Sequence, residues 1–316
     1  MKQPISSELS NNHHAALSPE DLRGVFLPIP TPFDSTGALD LRALCANIAK
    51  WNTTGISGYV MLGSTGERVH LDEREYLEVI AAAREEVPAR KDGFTFIAGA
   101  GQQSTIGTVR EIKRVAGAVS VDAFLVITPH FYRSSITQKT LVEHYLRVAD
   151  ESPAPVILYS MPVLTGITIE SETAARLSEH ENIIGIKDSS ADVERLKETI
   201  KLAPRDFAVF TGNGTVLYEA LRAGACGGIL AVGCVAPDVC LEIFRAVVSG
   251  ENERSSMLQT KLTPLAQAVT VRFGIGGLKA ALEMRGYVGG AVRAPLTAPG
   301  ENAREEIRLC LEAATH

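Results

Sequence analysis

The feature that most constrains the fold is a repeated alternation of strand-like and helix-like segments from Gly24 onward. Short apolar runs rich in β-branched residues indicate strands, and longer segments with apolar residues at helical spacing indicate helices. Eight such units of strand and helix predict an α/β fold, a closed (β/α)₈ TIM barrel, which roughly 250 residues can form as one domain. The predicted strands are Gly24–Pro28, Gly58–Leu62, Phe94–Ala98, Ala123–Ile127, Val156–Tyr159, Ile183–Lys187, Phe207–Thr211 and Gly227–Ala231.

The chain divides into three predicted regions. Residues 1–21 are polar and predict a disordered or loosely ordered tail, and residues 22–237 carry the barrel. Beyond residue 238 the strand signal stops, and four helical segments predict an extension over residues 238–316. No linker rich in glycine, serine or proline precedes this extension, so we expect it to pack on the barrel. Its predicted helices are Leu241–Val248, Glu253–Arg272, Gly276–Arg285 and Glu301–Ala314.

Composition limits the partners that the chain can have. A formal net charge of −6 argues against nucleic acid or an anionic membrane surface, and no apolar run is long enough to span a bilayer. Five cysteines without a CxxC pair predict free thiols in a reducing compartment. The first 21 residues resemble neither a secretory signal nor a clear transit peptide. A cytoplasmic location is therefore expected, with a mitochondrial one as the alternative.

The segment Asn182–Ser190 places a lysine at the end of a short apolar strand. Strict alternation predicts that Ile183, Gly185 and Lys187 share one face of the strand, whereas Ile184 and Ile186 share the other. Ligands bind at the carboxyl ends of parallel barrel strands, and desolvation there favours a neutral amine that can attack a carbonyl. A lysine that simply extends into solvent from the strand end is the alternative interpretation.

Two further strand ends carry polar groups. The loop Gly63–Glu67 contributes two hydroxyls and flexible backbone amides, which predict a cradle for an anion. The Gly-Lys-Ser/Thr of a phosphate-binding loop is missing, so a carboxylate fits better than a triphosphate. A glycine turn with incidental hydroxyls is the alternative.

Tyr159 ends the fifth predicted strand, and by alternation with Ile157 its side chain should point into the barrel mouth. The alternative is a buried tyrosine that only satisfies a hydrogen bond in the core, which is common.

Together these groups predict a Schiff-base site. Lys187 and Tyr159 are neighbours if the fifth and sixth strands pair, and a phenol can relay protons. The carboxylate of a 2-oxo acid would bind in the Gly63–Glu67 cradle, and its ketone would react with Lys187. The imine itself would serve as the electron sink. No cofactor and no metal is therefore expected, and no cluster of His, Cys and carboxylate residues has metal-ligand spacing.

Three motifs in this order resemble the dihydrodipicolinate synthase/N-acetylneuraminate lyase family. They are GSTGE at Gly63–Glu67, YSMPVLTG at Tyr159–Gly166 and IIGIKDSS at Ile183–Ser190, within a resemblance that covers about Gly24 to Leu296. The resemblance implies a pyruvate-dependent class I aldolase on a (β/α)₈ barrel with a helical extension. The roles that it implies are the Schiff-base lysine for Lys187, the adjacent tyrosine for Tyr159, the relay hydroxyl for Ser64, the carboxylate partner for Thr65, and the lining of the pyruvyl pocket for Gly212 and Ile229.

Departures from the family's patterns narrow the implied substrate. Leu164 stands where dihydrodipicolinate synthases carry an arginine that binds the aldehyde's carboxylate, and Asn213-Gly214 replaces the acidic pair of sialic acid lyases. The chain is most similar in motifs to 4-hydroxy-2-oxoglutarate aldolases and 2-keto-3-deoxy sugar-acid aldolases, in which Ser189 matches a pocket serine. This similarity rests on Val148–Asp150, Ala268–Ile275, Gly289-Gly290 and Arg293–Leu296.

The resulting prediction is a lyase that cleaves a 4-hydroxy-2-oxo acid, either 4-hydroxy-2-oxoglutarate or a 2-keto-3-deoxy sugar acid, to pyruvate and an aldehyde. One alternative is a dihydrodipicolinate synthase that condenses pyruvate with aspartate semialdehyde, which Leu164 disfavours. The other is a non-catalytic pyruvate-binding regulator. A binder needs no amine nucleophile, so the presence of Lys187, Tyr159 and Ser64 favours an enzyme.

The loop after the fourth predicted strand contains residues that predict how subunits assemble. The family uses a second tyrosine from a neighbouring subunit, and ungapped alignment places Phe131 at that position, with Tyr132 next to it. Either Tyr132 reaches across instead, or the relay ends at Ser64 and water. Aromatic residues and arginine are enriched at interfaces. Together with Arg133 and the resemblance, the two rings predict a homotetramer built from dimers, and a lid over the chain's own site is the alternative.

Overall fold

The computed structural model describes residues 17–315, in which eight parallel strands form one closed barrel in sequence order. The fold class predicted from the sequence is therefore confirmed. The strands are β1 (Gly24–Pro28), β2 (Gly58–Met61), β3 (Thr95–Ala100), β4 (Ala123–Ile127), β5 (Val156–Ser160), β6 (Ile183–Asp188), β7 (Ala208–Thr211) and β8 (Gly227–Ile229).

Helices follow the strands around the barrel and then continue beyond it. Those up to β8 are α1 (Leu41–Trp51), α2 (Glu73–Glu86), α3 (Thr105–Ala118), α4 (Gln138–Glu151), α5 (Pro162–Thr165), α6 (Ser171–Leu177), α7 (Val193–Leu202) and α8 (Leu217–Ala223). Those after β8 are α9 (Pro237–Val248), α10 (Asn252–Gln267), α11 (Gly274–Met284) and α12 (Glu301–Thr315). No helix within residues 17–315 is both long and apolar enough to cross a membrane.

Helix starts follow the capping residues in the sequence. Asp72 accepts a hydrogen bond from the Glu75 amide, and the Glu75 side chain accepts one from the Asp72 amide, which completes a capping box before α2. Ser104 caps α3 by accepting from the Gly107 amide. Both caps follow the general rule that polar side chains begin helices by satisfying free amides.

Two apolar cores surround the strands. The inner core fills the barrel and includes an edge-to-face contact between Phe26 and Phe210, whose ring centroids are 5.4 Å apart. The outer core lies between the strands and the helices. Tyr159 and Ile157 both belong to the inner core, as their alternation along β5 predicted.

The predicted facing of β6 is wrong at its start. Ile183 packs in the outer core together with Ile186, whereas Ile184 packs against the inner core. The cause is an irregularity in the β5–β6 pairing, where Val156 pairs with Ile183 but Ile157 already pairs with Gly185. The extra residue resets the alternation. Lys187 still points into the barrel, because Tyr159 and Lys187 are paired beyond the irregularity.

Several boundaries differ from the sequence prediction. Helix α5 was missed: its proline at the first turn starts it, and Gly166, at a φ of 67°, ends it. Strand β8 stops at Ile229, and Ala231–Cys234 forms a 3₁₀ turn instead. The long helix predicted at Glu253–Arg272 is α10 followed by a π-helical turn over Ala268–Arg272.

The helices after β8 contact the barrel through both apolar and charged groups. Trp51 of α1 stacks on Tyr287 at 5.0 Å between ring centroids. Ala291 bridges to Phe33 of the β1–α1 loop. The division at residues 237 and 238 remains a prediction, and most of the predicted tail at residues 1–21 lies outside the described residues. Leu22 closes a 3₁₀ turn at Glu20–Leu22 and is buried.

Candidate functional site

Lys187 and Tyr159 form the centre of the candidate site. They are directly paired residues of β6 and β5, and the Lys187 Nζ lies 4.3 Å from the centroid of the Tyr159 ring. Each side chain belongs to a residue that is only 4% exposed. Within residues 17–315, Lys187 forms no ion pair, and the carboxylate of the adjacent Asp188 pairs with Arg195 at 3.1 Å. The lysine is therefore buried without a compensating carboxylate.

The Gly63–Glu67 loop brings the Ser64 hydroxyl to the same place. The Ser64 Oγ lies 3.1 Å from the Tyr159 hydroxyl. Ser64–Gly66 form a 3₁₀ turn, and Thr65 within it is buried. The first amides of such a turn have no partner inside it. Ser64 thus joins the loop to Tyr159, and the chain of contacts runs from the loop through the phenol to Lys187.

Ser189 and Gly212 lie against Lys187. A Cβ atom at Gly212 would stand 1.9 Å from the Ser189 Oγ and 2.7 Å from the Lys187 Cε, so no side chain fits at this position. The Ser189 hydroxyl is buried, and it has no hydrogen-bond partner among the described residues. A buried hydroxyl without a partner is costly. Ser189 is therefore available to a ligand that reaches Lys187.

Ile229 and the Cys234 thiol are both buried near the strand ends. Ile229 ends β8 in the inner core and is fully buried. The Cys234 thiol is also buried, which raises its pKa, whereas the charge of Lys187 lowers it by less. The thiol is therefore protonated and does not compete with the amine as a nucleophile. None of the five cysteines forms a disulfide in the structure.

An open cavity of about 570 Å³ lies beside this cluster. Ser64 and Tyr159 line it, but Lys187, Thr65, Ser189, Gly212 and Ile229 do not. The two hydroxyl residues therefore connect the buried lysine to the cavity. Farther out the wall includes Gln102, Gln103, His130, Leu164, Ile275 and Leu296. The last two belong to α11 and to the segment between α11 and α12, so the extension helps to form the mouth.

Two arginines in the cavity wall already have anionic partners. Arg68 contacts both carboxylate oxygens of Glu111 at 2.5 and 2.6 Å, and Arg114 pairs with Glu73 at 2.7 Å. The Glu111 carboxylate also accepts the Gly101 amide at 2.8 Å. A second carboxylate on a substrate would have to compete for these guanidinium groups.

Tyr132 and Phe131 lie on the outside of the loop after β4. They are 70% and 73% exposed, and their rings meet edge to face at 5.0 Å. Neither residue lines the cavity of its own chain, although the adjacent His130 does. The described chain therefore does not bring Tyr132 to Tyr159.

The sequence prediction missed one buried charge pair near the site. Glu67, the last residue of the GSTGE motif, pairs at 2.6 Å with Lys279 of α11, and both side chains are almost fully buried. The available signal was a lysine inside the apolar run Gly276–Leu282. Among residues 17–315, no group of three or more His, Cys, Asp or Glu residues is arranged to hold a metal ion.

A closed barrel with a lysine, a tyrosine and a serine close together at the ends of its strands is the arrangement expected of a class I aldolase, a carbon–carbon lyase that uses pyruvate. Comparisons with known proteins agree. A family model described as the dihydrodipicolinate synthetase family matches residues 21–314. The chain belongs to this family, and the resemblance found in the sequence is confirmed.

Two curated relatives are 4-hydroxy-tetrahydrodipicolinate synthases. A 4-hydroxy-tetrahydrodipicolinate synthase of Methanothrix thermoacetophila is 33% identical over 287 residues, covering 90% of this chain and 95% of the relative. One of Haloarcula marismortui is 32% identical over 289 residues, covering 91% and 92%.

Solved structures share the fold. A dihydrodipicolinate synthase described as the first monomeric variant has a TM-score of 0.88 and 30% identity, with 95% of this chain and 99% of that chain covered. Dihydrodipicolinate synthase of Thermotoga maritima has a TM-score of 0.85 and 31% identity, with 92% and 98% covered.

Proposed function

We propose that Lys187 forms an imine with the ketone of pyruvate or of a larger 2-oxo acid. The observation that carries this proposal is the buried, unpaired Lys187 against the Tyr159 ring, with the Tyr159 hydroxyl 3.1 Å from Ser64. Ser64 and Thr65 would bind the carboxylate of the 2-oxo acid. Ser189, Gly212 and Ile229 would form the rest of the pyruvyl pocket, with the free Ser189 hydroxyl as a hydrogen-bonding group.

The chemistry follows from these positions. The amine attacks C2 of the 2-oxo acid, and water leaves to give the imine. In cleavage, the C4 hydroxyl loses its proton through Tyr159, the C3–C4 bond breaks, and its electron pair moves toward the imine nitrogen. An aldehyde and an enamine result. The enamine takes a proton at C3, and water then hydrolyses the imine to pyruvate and free Lys187. In condensation, the pyruvate enamine adds to the aldehyde carbon.

The second reactant has two candidates. The names of the relatives support condensation of pyruvate with aspartate semialdehyde, and they support it better than the cleavage reaction favoured by the sequence motifs. One feature of the cavity disfavours any aldehyde that carries a carboxylate, both aspartate semialdehyde and the glyoxylate released from 4-hydroxy-2-oxoglutarate, and so favours cleavage of a 2-keto-3-deoxy sugar acid. Leu164 lines the mouth and is 60% exposed, whereas Arg68 and Arg114 are bound to carboxylates. The mouth thus presents an apolar group where a cation would bind an anionic aldehyde.

Borohydride trapping tests the proposal. Incubation with pyruvate and borohydride should add one reduced pyruvyl group to the protein, and peptide mass spectrometry should locate it on Lys187. No adduct, or an adduct on another lysine, would refute the assignment. Turnover assays then separate the candidates: pyruvate release from 4-hydroxy-2-oxoglutarate and from 2-keto-3-deoxy sugar acids, against consumption of pyruvate with aspartate semialdehyde. An adduct without any turnover would favour the non-catalytic regulator.

The proposal includes no cofactor and no metal, because the imine serves as the electron sink for C–C bond cleavage. Exhaustive chelation should leave the activity unchanged. Loss of activity that zinc restores would contradict this part of the proposal. A cytoplasmic location and a small-molecule partner also remain part of the proposal.

We further propose a homotetramer of two dimers, with the tighter interface beside the mouth. The exposed rings of Phe131 and Tyr132 support an interface there, as does Val163, which is 75% exposed on the neighbouring α5. Tyr132→Phe should lower the rate without dissociating the assembly if the phenol enters a neighbour's site, whereas Phe131→Ala should weaken the interface. A solved neighbour is described as a monomeric variant. Sedimentation that shows a fully active monomer would refute the shared site.

A further inference from the structure

The loop that carries Ser64 and Thr65 is bounded by two unusual backbone conformations. Leu62 and Glu67 have φ angles of 51° and 53°, in the left-handed region that residues other than glycine rarely adopt. Such conformations persist only where surrounding contacts hold them. The contacts that hold Glu67 therefore bear on where the two hydroxyl residues lie.

The Glu67 carboxylate is held almost entirely by the part of the chain after the barrel. Its Oε1 accepts a hydrogen bond from the Lys279 Nζ at 2.6 Å, and its Oε2 accepts one from the Arg293 amide at 3.1 Å. The His70 Nδ1 also lies 3.1 Å from Oε2. Glu67 and Lys279 are each 2% exposed, so water cannot replace either partner.

Lys279 is itself fixed in place. Its Nζ donates to the Ala291 carbonyl at 2.6 Å and lies 4.6 Å from the centroid of the Phe33 ring. Ala291 in turn donates its amide to the Phe33 carbonyl at 2.8 Å. The ammonium group therefore joins three segments: α11, the strand-like segment around Ala291, and the β1–α1 loop.

Arg293 reinforces the same attachment. Its guanidinium contacts both carboxylate oxygens of Glu75 at 2.6 Å, and it donates to the His70 carbonyl at 2.7 Å. Glu75 lies in the first turn of α2, which follows the loop after the 3₁₀ turn Arg68–His70. Both ends of the segment from Glu67 to α2 are thus attached to residues 279–293.

We propose that Glu67 and Lys279 are positioning residues, whose buried ion pair sets the Gly63–Gly66 backbone so that Ser64 and Thr65 face Tyr159 and Lys187. Lys279 does not line the cavity, and Glu67, which does, is held by its partners, so the proposed role requires no contact between either side chain and the substrate. The helices after the barrel would then control carboxylate binding at a distance. This inference rests on the proposed function, because it assigns the effect of the ion pair to binding of the 2-oxo acid.

The test separates positioning from stability. Lys279→Met leaves a buried carboxylate uncompensated and should destabilise the fold, whereas Glu67→Gln/Lys279→Met removes both charges and should restore most of the stability. If the pair positions the loop, both variants should need about 10- to 100-fold more pyruvate for half-maximal borohydride trapping, since small misplacements of binding groups have effects of that size. The trapping rate at saturating pyruvate should change little, because Lys187 and Tyr159 are intact.

Two further measurements complete the test. Amide hydrogen exchange over residues 63–67 should be faster in the double variant than in the wild type. Lys113→Met is a matched control, because it removes the same charge from an exposed pair with Glu151 on the outer helices, and it should change neither measurement.

Each outcome has a distinct meaning. A double variant that binds pyruvate and exchanges its loop amides like the wild type would show that the pair only stabilises the fold, and the inference would be wrong. If the wild type forms no pyruvate adduct, the proposed function fails. Amide exchange over residues 63–67 then still decides whether the ion pair orders the loop. If these amides exchange at the wild-type rate in the double variant, the proposed ordering of the loop is also wrong.

Discussion

Lys187 and Lys279 are the two lysines that are buried within residues 17–315, and their surroundings differ in one respect. Both amines lie over an aromatic ring, at 4.3 Å from the Tyr159 centroid and 4.6 Å from the Phe33 centroid. Lys279 also contacts the Glu67 carboxylate at 2.6 Å, whereas Lys187 has no ion pair in the described chain.

The difference separates a structural ammonium from a candidate nucleophile. Burial of a charge is costly unless it is paired and hydrogen-bonded. For Lys279, burial lowers the pKa, and the hydrogen bond and charge of Glu67 offset only part of that shift. Lys187 lacks such a partner and instead lies beside the Tyr159 phenol and Ser189, and Tyr159 and Ser64 connect it to the open cavity. We infer that the missing partner at Lys187 is a functional feature, since an amine held in an ion pair is a poor nucleophile.

The largest expected effect is at Lys187. Lys187→Met should abolish the borohydride-dependent mass gain with pyruvate completely, because the attacking amine is gone. The free energy of unfolding should fall by no more than about 1 kcal/mol, since no ion pair is broken. Mass spectrometry and urea unfolding measure the two quantities. Persistence of the adduct would mean that another lysine reacts.

The same substitution at Lys279 should give the opposite pattern. Lys279→Met leaves Glu67 buried without its partner, and breaking a buried pair costs about 3–5 kcal/mol. The adduct on Lys187 should still form at high pyruvate concentration. Urea unfolding at neutral pH measures the loss of stability. If Lys187→Met proves the more destabilising of the two, the contrast between the paired and the unpaired lysine is wrong.

His144 tests whether a buried titratable side chain without a carboxylate partner is by itself a sign of a functional site. Its ring is buried between α3 and α4, with Nδ1 2.9 Å from the Thr105 hydroxyl and Nε2 without a partner in the described chain. Burial lowers the pKa of His144 to about 4. His144 does not line the cavity. We therefore expect it to affect stability and not imine formation.

The sign of the pH dependence follows from this pKa. The unfolded chain, with a histidine pKa of about 6.5, binds the proton more tightly than the folded chain does. The contribution of neutral His144 to the free energy of unfolding is therefore complete above pH 6.5 and is lost as the pH falls toward 4. About 1.4 kcal/mol for each pH unit between the two pKa values gives a loss of about 3.5 kcal/mol. His144→Phe should remove this part of the acid sensitivity, as measured by urea unfolding across that range. An unchanged pH profile in the variant would contradict the assignment.

The sequence predicted the barrel because each strand and helix carries its own local pattern. Caps such as Asp72 and Ser104, and the position of Lys187 beside Tyr159, follow from residues close together in the chain plus the pairing of consecutive strands. The start of β6 was mispredicted, because strict alternation cannot reveal an extra residue in the pairing with β5.

The Glu67–Lys279 pair could not be predicted for a different reason. Its partners are 212 residues apart, and their contact depends on how the helices after the barrel pack. Local pattern identifies a lysine in an apolar helix but not the carboxylate that it meets. The contribution of Ile275 and Leu296 to the cavity wall was missed for the same reason.

The smallest expected effect concerns the loop that lies between the two lysines. Thr65→Val keeps the shape of the side chain but removes the hydroxyl proposed to bind the carboxylate of the 2-oxo acid. A hydrogen bond to a charged group contributes about 1–3 kcal/mol, so pyruvate binding should weaken roughly 5- to 150-fold. The pyruvate concentration for half-maximal trapping measures this change, and Thr65→Ser, which keeps the hydroxyl, is the matched control. The Glu67–Lys279 pair is untouched, so stability should stay near that of the wild type. If Thr65→Val binds pyruvate normally, the loop acts through the Ser64 hydroxyl and its backbone amides, and the ion pair at its end would position those groups instead of the Thr65 hydroxyl.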